Sequence, residues 1–579
     1  MKSLKEMIQN LKFTWQFAKN EKKLIIIDII SYLIWISVSI LMPILSAKII
    51  VSLTSNNYEQ ILSIAIVILI IQLLDSLFNY ISRITNIKIY RNTLAKLEIE
   101  LGKNILKLEN KCLDDNGSGV FIQRITNDTS RLAEVFEALL EQISGILQYI
   151  GILIAIFTIN KIIFLYSLLM ISLLLSIDFI RTKKRNEDDK IQRKSQEKLF
   201  SFISELVRGA RDIKMLNSEK DFVNELETII NDNDNKKLIM QTRSWTYQLY
   251  SYFSINIFEF LLIIILIIFM KNNFITSALS LVIYNYFSKL EWCSWIAGNI
   301  MDYIKEFNLS SERIKEVLAN NKFKKESFGT KHLDNIKGNF EFKNVSFKYD
   351  KNKVLNNLSF KIDANKTVAF VGKSGSGKTT IFNLLCKMYD INKGKITIDG
   401  VNIKDLDKDS IRGNITIINQ DPYIFNMSIK DNLRIVKSNI TNKEIKEACQ
   451  IASLDEFIQT LPNKYDTIIG EGGVKLSGGE KQRLAIARAL IQKTKIILFD
   501  EATSALDNET QNKIQQAIEN MHNDYTILII AHRLSTIINA DYILFLNNGQ
   551  IEASGTHEEL LKTSSDYKHL YEQELSKNQ

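Results

Sequence analysis

Proline is almost missing from this chain: 579 residues contain three. Only Pro43 falls in a strongly apolar stretch, so nothing in the composition prevents long, largely unbroken helices. Cysteine is scarce too. Cys112, Cys293, Cys386 and Cys449 are scattered without metal-ligand or disulfide-framework spacing, which excludes a zinc module or a stapled secreted scaffold. Packed or lipid-facing free thiols are the expectation. The polar start Met1–Lys23 leads into an apolar run with no cleavage site after it, so no removed secretory signal is expected. The formal net charge of +8 would suit a nucleic-acid partner, but the basic residues are distributed in a way that fits membrane topology instead, and no nucleic acid is expected.

A chain of this length exceeds one hydrophobic core, and two or three units are the natural prior. The hydrophobic content of 46% averages two unlike parts. Up to about residue 300 the sequence runs repeatedly apolar with few charges, and beyond about residue 335 it has the composition of an α/β domain. This predicts a helical apolar unit over 1–319, a polar linker over 320–337 and an α/β domain over 338–579.

Six segments approach the roughly 20 residues that a membrane-crossing helix needs: Leu24–Ile50, Ile61–Arg83, Gln142–Asn160, Ile162–Ile180, Tyr247–Met270 and Phe274–Ile300. The third and fourth are separated only by the break at Asn160-Lys161, a tight hairpin. Val51–Gln60 carries no Lys or Arg, whereas Ile84–Glu141 and Arg181–Thr246 are rich in both, including Arg181-Thr-Lys-Lys-Arg185. That alternation places the long segments and both termini on the cytoplasmic side. The long segments keep helical periodicity, so they extend the membrane helices into the cytosol, with turn residues gathered at Asp114-Asp-Asn-Gly-Ser-Gly119. Asp75, Asn79, Gln148, Asn256, Glu259 and Glu291 fall inside the spans, where polar groups face a cavity or one another. By depth, Asp75 and Glu259 are the candidates for a substrate path, with interhelical hydrogen bonding as the plainer role. Trp292 and Trp295 suit interfacial anchoring.

In the second part, Phe340-Glu-Phe-Lys-Asn-Val-Ser-Phe347 alternates like a strand, and Tyr349 follows. Val368-Ala-Phe-Val371 is a short apolar strand running into Gly372-Lys-Ser-Gly-Ser-Gly-Lys-Thr-Thr380, after which a helix is expected. Strand, glycine-rich loop and helix together make a phosphate-binding loop, because converging N–H groups and a helix N-terminus attract phosphate oxygens. Gly372, Ser374, Gly375, Ser376, Gly377, Lys378, Thr379 and Thr380 are its candidate ATP contacts, with Lys378 neutralising phosphate and Thr379 offering a hydroxyl to Mg²⁺. Ile496-Ile-Leu-Phe-Asp-Glu501 is an apolar run ending in two carboxylates. Asp500 suits Mg²⁺, and Glu501 suits the general base that orients and deprotonates the attacking water.

With Leu476-Ser-Gly-Gly-Glu-Lys-Gln-Arg483 added, the ordered series resembles the ATP-binding cassette (ABC) family over nearly the whole chain, in particular its exporter-type half-transporters. The resemblance implies an all-α domain of six transmembrane helices followed by an α/β P-loop domain with an antiparallel β subdomain. It implies that Tyr349 stacks on adenine and that Gln420 senses Mg²⁺ and contacts the membrane domain. Ser477, Gly478 and Gly479 would engage the γ-phosphate held by the opposite subunit, and His532 in Ala531-His-Arg533 would contact γ-phosphate. Ser504-Ala-Leu-Asp507 matches the loop that crosses the dimer seam, which makes Asp507 a further nucleotide-site candidate. Gly470-Glu-Gly-Gly473 is similar to the exporter segment that reaches the internal loops. In the membrane half, Gly117-Ser-Gly-Val-Phe-Ile-Gln-Arg-Ile-Thr-Asn-Asp128 resembles the first internal-loop region, and Ser310-Ser-Glu-Arg-Ile-Lys-Glu-Val-Leu318 the exit from the sixth helix.

The family pattern implies that two copies sandwich two ATP molecules. A homodimer is the simpler expectation because every recognised catalytic position keeps its usual residue, and a heterodimer with a related half-transporter is the alternative. The leading function is ATP-driven, alternating-access export of hydrophobic or amphipathic cargo such as a drug, lipid or peptide. Short transverse helices near Asp114–Gly119 and Met215–Asp221 would transmit cassette closure. The alternatives are a dedicated peptide or bacteriocin exporter, for which too few residues precede the first span to hold a fused protease, and an ATP-gated channel, against which the intact Glu501 argues. The abundance of Ile, Lys and Asn suits an AT-rich bacterial genome, hence a bacterial plasma membrane.

Overall fold

The structure is a computed structural model, and the residues it describes are 2–54, 58–319, 322–350, 352–419, 421–470, 473–500, 516, 518–519, 524–530 and 538–577. They fall into two compact units: Met1–Lys107 with Asn116–Phe323, and Leu108–Asp115 with Lys324–Gln579.

The first unit is helical. The polar start is itself a helix, Lys2–Ala18, which buries Met7, Asn10, Thr14 and Ala18 at helical spacing. Asn10 Nδ2 donates to Asn308 Oδ1 at 2.8 Å, so this face packs on the Cys293–Leu318 helix. Among the described residues, five helices are long and apolar enough to cross a membrane: Lys5–Thr54, Tyr58–Ile105, Asn110–Ile159, Lys161–Arg208 and Glu219–Lys271. Tyr58–Ile105 has 48 residues, about 70 Å at 1.5 Å per residue, against a hydrocarbon layer of about 30 Å. The expected extensions beyond the membrane-crossing length therefore exist as continuous helix. The hairpin at Asn160 forms because its side chain caps the next helix, accepting N–H groups of Ile162 at 2.9 Å and Ile163 at 3.2 Å.

The sixth expected span is not one helix. Thr276 caps Ser277–Lys289, a tight turn occupies Leu290–Trp292, and Cys293–Leu318 follows. The interruption falls where Tyr286, Phe287 and Leu290 are drawn fully into the core of this unit. The internal segments break where turn residues predicted. Asn110–Gln123 kinks at Gly117, whose φ of 69° suits glycine, and a π-helical stretch Arg124–Asp128 comes next. Further on, the short helix Ala210–Met215 separates two long ones.

Two segments matched by motif alone meet here. Asp128 accepts from Ser310 Oγ at 2.8 Å. Arg124 donates to the Arg313 carbonyl at 2.7 Å and to Glu316 Oε2 at 2.8 Å, and its guanidinium lies 4.6 Å from the Phe323 ring centroid.

In the second unit the strands are β1 (Phe340–Tyr349), β2 (Asn352–Ile362), β3 (Thr367–Gly372), β4 (Lys393–Ile398), β5 (Val401–Asn402), β6 (Ile415–Ile418), β7 (Met427–Ser428), β8 (Ile468–Ile469), β9 (Ile496–Asp500), β10 (Thr526–Ile530), β11 (Tyr542–Asn547) and β12 (Gln550–Gly555). Among the described residues they make a six-stranded sheet ordered β12-β11-β3-β10-β9-β6 and a four-stranded sheet ordered β2-β1-β4-β5. Pairing is parallel from β11 through β6, and β12 closes the edge antiparallel. The smaller sheet is antiparallel throughout, as the expected β subdomain requires. All six residues of β3 are buried, which explains why its sequence is a continuous apolar run and not an alternating one.

Candidate functional site

β3 sits between β11 and β10 and delivers the glycine-rich loop at its carboxyl end, where open parallel sheets bind ligands. Leu546 of β11 pairs with Gly372, and a Cβ on Gly372 would stand 2.2 Å from the Leu546 carbonyl oxygen. That residue must be glycine for the loop to leave the sheet. Gly377, at φ 101°, is the left-handed residue from which the Lys378–Leu385 helix starts. Lys378 is 5% exposed, and its ammonium donates to the carbonyls of Gly372 at 2.8 Å and Lys373 at 3.1 Å. The cation is thus held inside the loop's own curve. Ser374, Gly375 and Thr379 are exposed, while Ser376 and Thr380 are buried.

β9 lies beside β10 and ends at Asp500, whose Oδ1 accepts from Thr379 Oγ1 at 3.2 Å. A hydroxyl and a carboxylate side by side at the mouth of a phosphate loop form the hard-oxygen set that Mg²⁺ takes, so the residues fit the ion that the motif implies. Within the loop, the buried Ser376 Oγ has no hydrogen-bond partner among the described residues.

The signature segment folds as a helix N-terminus. Ser477 caps Gly478–Gln492, its N–H meeting Glu480 Oε2 at 2.7 Å while Glu480 N–H meets Ser477 Oγ at 3.4 Å. Ser477 and Gly478 are exposed, and Gly479 is buried. Arg488 on the same helix donates to Asn432 Oδ1 at 2.6 Å, the Asn432 carbonyl at 3.0 Å and the Tyr423 carbonyl at 2.9 Å. Lys481 pairs with Asp421 at 2.8 Å. The turn that follows Gln420 is therefore tied to the signature helix, a role for Arg488, Asn432 and Lys481 that motif reading missed. Gly470 and Gly473 follow β8, which pairs with β7 of that same region.

Tyr349 packs edge-on against Phe347, with centroids 4.8 Å apart, and against Tyr389 at 5.2 Å. It lines a cavity of about 590 Å³ whose lining includes none of the phosphate-loop residues. Glu501, His532, Gln420 and Asp507 lie outside the described residues, as do the side chains of Trp292 and Trp295.

The first unit holds a separate cavity of about 620 Å³. Asn79 and Gln148 line it, as their place inside the spans suggested; Asp75, Asn256, Glu259 and Glu291 do not. Asp75 stands one turn before Asn79 on that same face, beyond the end of the lining that continues through Arg83 and Asn86. Depth along the span does not select the residues that line this cavity.

Fold and site together define a P-loop ATPase cassette joined to a helical membrane unit. The pattern described as ABC transporter transmembrane region matches residues 25–291, and that described as ABC transporter matches residues 355–504. The chain belongs to the ABC transporter family, with membrane region and ATPase cassette fused in one polypeptide. It is 29% identical to the uncharacterized ABC transporter ATP-binding protein YfiC of Bacillus subtilis, over 98% of this chain and 94% of that one. It is 45% identical to the ATP-dependent lipid A-core flippase of Haemophilus influenzae, over 43% of each chain. A solved bacterial Atm1-family ABC exporter with ATP bound shares the fold at a TM-score of 0.82 and 23% identity, covering 95% of this chain and 98% of that one.

Proposed function

We propose that the chain is one half of a dimeric exporter in a bacterial plasma membrane, its cassette and both termini cytoplasmic, that moves an amphipathic solute outward at the expense of ATP. The observation that carries this reading is the Thr379 hydroxyl beside the Asp500 carboxylate at 3.2 Å, in a chain that also holds membrane-length helices. On this reading the membrane domain is 1–319, the linker 320–337 and the cassette 338–579.

ATP is the substrate of the cassette. Lys378 and the loop N–H groups bind its phosphates, and Tyr349 orients adenine. Thr379, Asp500 and Gln420 hold Mg²⁺, which supplies charge neutralisation on the phosphate oxygens. Glu501 takes a proton from the attacking water, and His532 fixes the γ-phosphate end. Ser477, Gly478 and Gly479 serve the nucleotide of the second subunit, with Asp507 at the seam, so one copy leaves the site unfinished. ATP favours the closed pair because it contacts both subunits only there, and that differential affinity is what reshapes the membrane helices. A homodimer with two working sites needs no further component. The polar lining of the membrane-unit cavity supports amphipathic over purely hydrophobic cargo.

The test is ATP binding, hydrolysis and vesicle transport by the purified chain. Glu501→Gln is expected to retain ATP binding and to lose turnover by about a hundredfold or more, the range of a general base. Lys378→Ala is expected to weaken binding itself. Normal hydrolysis by Glu501→Gln would remove the base assignment, and full-speed hydrolysis by a strictly monomeric protein with Ser477 and Gly479 replaced would remove the dimer.

A further inference from the structure

We propose that the cavity of the membrane unit is a cation site, selecting cargo that carries an ammonium, phosphonium or guanidinium-like charge on a partly apolar body. This rests on the exporter reading above and narrows it to a substrate class.

The lining carries Glu137 and Glu141, one helical turn apart on the same face. The following turn of that face is Ser144 and Gly145, small residues that leave room in front of the two carboxylates. A third carboxylate, Asp28, is fully buried behind the wall. One of its oxygens accepts from Ser82 Oγ and from Asn86 Nδ2, both lining residues, and the other, Oδ2, has no partner among the described residues. Glu137, Glu141 and the Ser82 and Asn86 side chains that hold Asp28 thus belong to the lining of one cavity. None of the three carboxylates forms an ion pair among the described residues; the neighbouring Glu134 does, with Arg131.

Two cations share the lining, and they do not balance this charge. Lys289 donates to neutral acceptors, the Ser39 carbonyl at 2.7 Å and Ser39 Oγ at 3.1 Å, which fix its position and leave its charge in place. Arg83 is the remaining one. Three carboxylates against the two cations Arg83 and Lys289 leave an excess of one negative charge, and such a group near a membrane-crossing helix is costly unless something answers it. Tyr32, Trp35 and Tyr149 supply aromatic faces that attract cations and cover an apolar body. An anionic cargo would add to the negative excess, and a neutral hydrocarbon would leave it unanswered.

The experiment uses the purified full chain in lipid nanodiscs and two probes of nearly equal size and opposite charge, tetraphenylphosphonium and tetraphenylborate. Equilibrium dialysis without ATP reads binding, and ATP hydrolysis is read separately. Tetraphenylphosphonium is expected to bind well above tetraphenylborate. Glu137→Gln and Glu141→Gln are each expected to weaken it by about tenfold, the scale of one close charge pair, while Glu137→Asp, which keeps the charge, retains most of the affinity. Equal binding of the two probes, or unchanged phosphonium affinity in the Glu137→Gln/Glu141→Gln protein, overturns the proposal. A wild-type chain that hydrolyses ATP and transports other cargo but binds no phosphonium loses the cation site and keeps the exporter. One that binds phosphonium selectively but neither hydrolyses ATP nor transports loses the exporter reading and keeps the site.

Discussion

Lys289 Nζ lies 2.7 Å from the main-chain carbonyl of Ser39, four residues before Pro43 in the Lys22–Thr54 helix. A helical carbonyl at that position normally receives the N–H of the residue four places on, and proline has none. Lys289 supplies the missing donor. One turn earlier on its own helix, the Tyr286 hydroxyl donates to the next carbonyl, Ile40, at 2.6 Å. The Ser277–Lys289 helix thus closes the gap that proline opens. Lys289→Met is expected to destabilise the chain by about 1–3 kcal/mol, the cost of a buried acceptor left unmade. Pro43→Ala restores an N–H to Ser39, so in the double variant most of that loss should vanish. A thermal-unfolding cycle in detergent checks it, and strictly additive effects of the two changes would refute the pairing.

Arg124 joins the π-helical stretch to the helix that leaves the membrane, through the Arg313 carbonyl and Glu316. Its side chain is 7% exposed against 31% for Glu316, so the pair is largely removed from water. Arg124→Met removes the bonds to the Arg313 carbonyl and to Glu316, which keeps Lys322 at 3.4 Å, and should cost about 1–3 kcal/mol. Because Arg124 follows closely on Asp114–Gly119, one of the segments expected to transmit cassette closure, the same variant should keep ATP hydrolysis while losing its acceleration by cargo. Stimulation equal to wild type would show that the pair only holds the fold.

Local chemistry was legible in the sequence wherever neighbours in the chain are neighbours in space. The phosphate loop, the strand ending at Asp500, the Asn160 hairpin and the break at Gly117 are all of this kind. The cavity was not, because its wall is assembled from helices far apart in the chain, and which turn faces inward depends on how each helix is rotated. Counting depth selected Asp75 and Glu259, whereas the lining acids are Glu137 and Glu141, just ahead of the span as drawn from hydropathy. Arg488 and Asn432 escaped for a related reason: a half-buried arginine bonded to main-chain carbonyls leaves no motif.

His332 and Asp407 form an ion pair in the second unit, Nδ1 to Oδ2 at 2.7 Å. Hydrogen bonds from Ser410 first, then His332, hold the Asp407 carboxyl down to about 2. Asp407 in turn raises the His332 imidazole above its ordinary value. The depressed acid contributes stability that is present above its unfolded value of about 3.9 and lost as pH falls through about 2. The raised base contributes stability that is full below about 6.5 and lost as pH rises through its folded value. The pair is therefore complete between about pH 4 and 6.5. His332→Gln should lower the melting temperature in that window and have little effect at pH 9. A deficit that persists unchanged to pH 9 would mean that the imidazole acts there through packing and not charge.

Cys386 and Cys449 are buried in the cassette, and burial pushes both thiols up to about 12. For Cys386 the nearby Arg412 guanidinium pulls the other way and loses. Only the thiolate reacts, and against an ordinary thiol near 8.5 this lowers its fraction at pH 7.5 by about three orders of magnitude. Cys112, by contrast, is partly exposed and within reach of a reagent in solution. Maleimide at pH 7.5 should therefore modify Cys112 within minutes and leave Cys386 and Cys449 untouched until denaturant is added, as peptide mapping by mass spectrometry would show. Labelling of Cys386 in the native chain at the rate of Cys112 would mean that the strand–helix layer over β3 opens far more readily than its packing allows.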